Sequence, residues 1–72
     1  MSEMPLAPIE RLMRIAGAER VSEESAIEMR KELEKYGKRI CERAIVFAEH
    51  ANRKTIKASD IHLAISEMKD RF

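Results

Sequence analysis

An all-α architecture of short helix, long central helix and short helix, built to pair with a second chain, follows from three observations on this 72-residue sequence. Apolar or small residues recur at Ala26, Met29, Leu33, Tyr36/Gly37, Ile40, Ala44, Phe47/Ala48 and Ala51, in steps of three or four that draw one stripe along a helix from Ser22 to Asn52. No proline interrupts that stretch. At about 1.5 Å of rise per residue the segment 23–49 spans roughly 40 Å, whereas a compact globule of this length has a diameter of roughly 30 Å. The flanking segments are too short to wrap such a rod. Its stripe therefore needs apolar cover from another molecule, most simply a second copy related by a two-fold axis.

Each element has its own local reason. Met1 to Met4 reads as a flexible N-terminus. A first helix is expected from about Leu6 to Ala16, with Pro8 in the first turn, where its missing N–H costs nothing, and Ile9, Leu12, Met13 and Ala16 as the inward face. Gly17 supplies the stop. Ser22 is a good N-cap for the central helix, and Glu23 and Glu24 suit the positive end of its dipole. From Ile40 to Ala48 apolar residues cover most of the helix circumference, so this half requires cover from several directions. Gly37 costs about 1 kcal/mol relative to alanine in a helix interior, which is tolerable if two helix backbones cross closely there. Asn52 tolerates the left-handed conformation that ends a helix. A third helix is expected from about Ala58 to Lys69, with Ile61, Ala64, Ile65 and Met68 inward. Lys57 is a poor N-cap, so the carboxylate of Asp60 must carry much of that start.

Composition narrows the function. A core this small seldom supplies more than about 3–5 kcal/mol without a disulfide, a metal or a partner chain. Cys41 is the sole cysteine, which excludes an internal disulfide, fits a reducing cytosol and reads as a small buried hydrophobe. His50 and His62 lie on different helices without a ligand cluster, so neither a metal nor another cofactor is expected. Cys41 and His50 stand roughly 13 Å apart by helical rise, beyond hydrogen-bond reach, and no phosphate-cradling glycine loop exists, so the chain does not read as an enzyme. The longest apolar run is far below the roughly 20 residues of a membrane span. These features describe a soluble intracellular protein without a membrane partner.

Fourteen basic residues face 13 acidic ones, for a net charge of +1, which averaged over the surface argues against nucleic acid. Phosphate contact is local, however, and a symmetric dimer presents each basic patch twice. The second loop, 52–57, holds Arg53, Lys54 and Lys57 with no acid, and its hydroxyl at Thr55 and backbone N–H groups suit phosphate oxygens. Arg20 lies in the first loop. In a dimer of antiparallel central helices the first loop of one chain lies beside the second loop of the other, gathering Arg20, Lys54, Thr55 and Lys57 on one ledge. Helix one adds Arg11 and Arg14. Taken alone, the loop cations read equally well as a solvated basic turn. Lys31, Lys35 and Lys38, interleaved with Glu28, Glu32, Glu34 and Glu42, read as a solvated face with helical ion pairs.

The residues at this point carry a resemblance. Pro5-Leu6-Ala7-Pro8-Ile9, Ala16-Gly17-Ala18-Glu19-Arg20-Val21-Ser22, and Arg53-Lys54-Thr55-Ile56-Lys57-Ala58 followed by Asp60-Ile61 make residues 5–68 similar to an archaeal histone. The resemblance implies a histone-fold domain over 5–72, a head-to-tail handshake dimer, and compaction of duplex DNA in the nucleoid without strong sequence preference. It implies that Arg20 enters the minor groove while Arg11, Arg14, Lys54, Thr55 and Lys57 touch phosphates, the way wrapping proteins bind without reading base edges. It further implies an intrachain salt bridge between Arg53 and Asp60, and end-to-end stacking of dimers through Phe47, His50, Asp60 and Leu63. As apolar residues, Phe47 and Leu63 read equally well as core. The expected partners are double-stranded DNA and a second chain, identical or paralogous, within the cytoplasm. A histone-fold dimer serving as a protein scaffold or as part of a transcription factor is the alternative, and near-neutral charge is its best argument.

Overall fold

The computed structural model describes residues 4–69, and Met1–Glu3 and Asp70–Phe72 lie outside the described residues. Among these described residues three helices account for the regular structure: α1 (Leu6–Ile15), α2 (Glu23–His50) and α3 (Ala58–Lys69). The expected order of short, long and short is the observed one. Two compact units divide the chain, Met1–Lys35 and Tyr36–Phe72, and α2 contributes to both.

In the first unit, Pro5 is the extended residue before α1, and Pro8 lies in the first turn, where an unpaired N–H would otherwise stand. The helix closes in a Schellman motif: the Gly17 N–H donates to the Arg14 carbonyl at 3.0 Å and the Ala18 N–H to the Met13 carbonyl at 3.1 Å. Gly17 adopts φ 118°, a conformation that L side chains rarely take. Ser22 caps α2 as its sequence position predicts. Its hydroxyl accepts the Ser25 N–H at 3.1 Å, while the Ser25 hydroxyl donates back to the Ser22 carbonyl at 2.8 Å. Met4, read as part of a flexible terminus, has both backbone groups engaged: its N–H donates to Glu34 Oε2 and its carbonyl accepts from Arg30 Nη1, each at 3.1 Å.

The second unit begins within α2 at Tyr36. Its helix end repeats the Schellman geometry, with the Asn52 N–H donating to the Glu49 carbonyl and the Arg53 N–H to the Ala48 carbonyl, both at 2.9 Å. Asn52 sits at φ 58°, left-handed as expected of the residue that stops the helix. At α3 the cap is supplied from inside the helix: the Lys57 N–H donates to Asp60 Oδ2 at 2.8 Å, the backward half of a capping box. Lys57 contributes no side-chain cap, so Asp60 starts the helix.

Burial is concentrated on small residues. Among the described residues the buried apolar side chains are Ile9, Ala26, Ala44, Ala48, Ala64 and Met68. Of the inward face expected for α1, Ile9 is buried and Met13 half-buried, but Leu12 and Ala16 are exposed. Cys41, expected to be a buried hydrophobe, is also exposed. These are corrections for the single chain, and their common cause is that its own helices reach only part of each apolar circumference. Met4, Ile15, Tyr36, Ile45, Ile56 and Leu63 are exposed as well, Ile15 by 80%. Transfer of such side chains out of water is worth about 1.5–3 kcal/mol each. The single chain leaves part of that contribution unused.

Candidate nucleic-acid interface

The second loop is a built structure. Arg53 Nη1 and Nη2 donate to Asp60 Oδ2 and Oδ1 at 2.9 and 3.0 Å, a bidentate pair, and Nη1 also donates to the Thr55 carbonyl at 3.0 Å. One guanidinium thus ties the loop backbone at Thr55 to the first turn of α3. Asp60 is 2% exposed, and both its oxygens are engaged by its own chain. The Arg53 guanidinium and then the Lys57 N–H hold its carboxyl below the ordinary range, at about 2. The same pair raises Arg53. The expected intrachain salt bridge is present.

Arg53 is half-buried and committed inward, whereas Lys54, Thr55 and Lys57 are exposed. The loop therefore separates a structural cation from two cations and a hydroxyl-bearing residue that face water. Arg53 holds the carbonyl of Thr55 and makes no demand on its hydroxyl. In the first unit, Arg11 and Arg14 are exposed on α1, and Arg20 is exposed in the loop after the Gly17 turn. Ion pairs elsewhere among the described residues include Lys31–Glu28, Lys35–Glu32 and Arg43–Glu67. The first two lie one turn apart along α2 at 3.2 and 3.4 Å, as expected of a solvated helical face.

Of the residues expected to join dimers, Phe47 is half-buried, His50 exposed and Leu63 53% exposed. One arrangement around them escaped sequence reasoning. The Arg43 guanidinium lies over the Phe47 ring, 5.3 Å from its centroid, and Arg43 Nε donates to Glu67 Oε2 at 3.0 Å. The spacing of Arg43 and Phe47, one helical turn apart, was visible in the sequence. The arrival of Glu67 from α3 was not.

Among the described residues no group of three or more His, Cys, Asp or Glu is placed to hold a metal ion, and no helix is long and apolar enough to cross a membrane. A short–long–short trio of helices, with glycine or asparagine stops before both loops and an arginine–aspartate clamp on the second, defines the class as the histone fold. Residues 2–65 match the family described as histone-like transcription factor (CBF/NF-Y) and archaeal histone, and the chain belongs to it. It is 52% identical over 65 residues to one of the subunits of archaeal histone HAN1 from Thermococcus zilligii, covering 90% of this chain and 97% of that one. It is 38% identical over 65 residues to probable archaeal histone 3 of Methanocaldococcus jannaschii, with the same coverage. This is a family of histones and histone-like factors, not of enzymes.

Proposed function

We propose that this protein is an archaeal histone that pairs in a handshake dimer, binds duplex DNA through its loop cations and α1 arginines, and bends and wraps it within the nucleoid. The observation that carries the reading is the second loop, where Arg53 is clamped by Asp60 while Lys54, Thr55 and Lys57 stay exposed. Such a loop offers cations and a hydroxyl at fixed spacing to phosphate oxygens. Arg20 enters the minor groove, and Arg11 and Arg14 contact the backbone. Dimerisation brings the first loop of one chain beside the second loop of the other, which concentrates charge that the net +1 conceals. The exposed Leu12, Tyr36 and Ile45 provide its apolar surface. The partner chain is a second copy or a paralogue; that a relative is named as one subunit of a histone supports the latter.

Dimers then stack end to end through Phe47, His50, Asp60 and Leu63. The nearly balanced charge and the family's inclusion of histone-like transcription factors support a second reading, a protein scaffold with weak DNA binding. Salt separates the two. If about six cations meet phosphates, affinity falls by roughly three orders of magnitude between about 50 and 200 mM salt; a scaffold shows weak binding at both. The direct test is a gel-shift titration of the Arg20→Ala, Lys54→Ala double variant. It is expected to lose affinity for duplexes of any sequence while remaining a folded dimer, and unchanged affinity would refute the assigned face.

A further inference from the structure

We propose that Arg43, anchored by Glu67, is a positioning residue that sets the Phe47 ring for contact with a second dimer and thereby tunes how far dimers stack. The inference rests on the stacking reading above and goes beyond it in naming residues that need not touch the neighbouring dimer.

Arg43 and Phe47 lie one turn apart on α2, and Glu67 stands on α3. The guanidinium covers one side of the ring at 5.3 Å from its centroid. Left to itself, an arginine side chain at 43% exposure samples many rotamers. The 3.0 Å bond from its Nε to Glu67 fixes it from the far side, so the guanidinium cannot leave the ring without breaking a charge-assisted hydrogen bond. The ion pair is itself partly solvated, with Glu67 at 36% exposure, and such pairs contribute little to stability. Its effect is geometric. A half-buried phenylalanine held on one side by a cation presents its remaining surface in one orientation, which lowers the ordering cost when an apolar neighbour arrives. The strut joins α2 to α3, the two helices that carry Phe47 and Leu63, so it also braces the elements on which this surface is built.

The test is a double-mutant cycle on complexes reconstituted with duplex DNA, read as the lengths of nuclease-protected fragments, with gel-shift affinity for a duplex that holds one dimer as the control. Arg43→Gln and Glu67→Ala are each expected to shift protection to shorter fragments, lowering the dimer–dimer association constant by about two- to five-fold for each site removed, with single-dimer affinity unchanged. Arg43→Lys, which keeps a cation and an ion-pair partner, restores part of the length. In a Phe47→Leu background Arg43→Gln is expected to change nothing further, because there is no ring left to position. Full additivity in that cycle, or wild-type lengths for Arg43→Gln while Phe47→Glu shortens them, overturns the proposal and leaves stacking intact. Wild-type lengths for Phe47→Glu itself overturn the stacking reading, and this inference with it.

Discussion

Asp60 shows how one side chain serves several links at once. Its carboxylate caps α3 through the Lys57 N–H, receives both terminal nitrogens of Arg53, and through that arginine holds the Thr55 carbonyl. The folded carboxyl titrates at about 2, and the unfolded one near about 4. A depressed acid stabilises the folded state fully above its unfolded value and loses that contribution as pH falls toward its folded value. The stability difference between the wild-type chain and Asp60→Asn should therefore be constant above about pH 5 and shrink between about pH 4 and 2. Circular dichroism of denaturant unfolding across that range measures it, and a difference that does not change with pH would mean the charge is not what matters. Because Arg53 is committed inward, Arg53→Ala should also weaken DNA binding, through disorder of the loop that carries Lys54 and Lys57.

Helix ends and helix crossings set the next level. Asn52, at φ 58°, makes the Schellman turn that delivers the second loop. Asn52→Ala keeps the β-carbon but removes the short polar side chain whose local hydrogen bonding makes left-handed backbone tolerable, and should cost up to about 1 kcal/mol, whereas Asn52→Gly, which removes the β-carbon, should be tolerated; denaturation midpoints decide between them. Gly37 offers a sharper test of the pairing. A β-carbon there meets nothing within 4 Å in the single chain, so alone it should gain about 1 kcal/mol of helix stability from Gly37→Ala. If the partner's α2 crosses at this point, the same change crowds two backbones and weakens the dimer. The sign of the change in melting temperature reports which holds, and stabilisation would place the crossing elsewhere.

The proposed pairing should govern the behaviour of the protein in solution. Among the described residues four of the six buried apolar side chains are alanines and seven large apolar side chains are exposed, so the single chain buries too little to hold its long helix against conformational entropy. Folding and association should therefore be one transition, with a melting temperature that falls on dilution. A melting temperature independent of concentration over a hundredfold dilution, about two orders of magnitude, would identify a stable monomer and end the handshake reading. In the proposed assembly, stacking is the next step. Phe47→Glu or Leu63→Glu should leave the DNA affinity of single dimers intact and shorten nuclease-protected fragments.

Helix number, order and approximate ends were legible in the chain because each depends on neighbours in sequence: the stripe of α2, the Ser22 hydroxyl, the left-handed stops at Gly17 and Asn52, and the acid at Asp60. The family was legible too, since its motifs are local. Burial was not. Leu12, Ala16 and Cys41 carry the chemistry of a core yet stand exposed, because periodicity identifies an apolar face without saying whether the same chain covers it. The strut from Glu67 to Arg43 was equally hidden. It joins residues of two helices whose meeting depends on how α3 packs back after the second loop, and no rule of spacing along one helix encodes that packing.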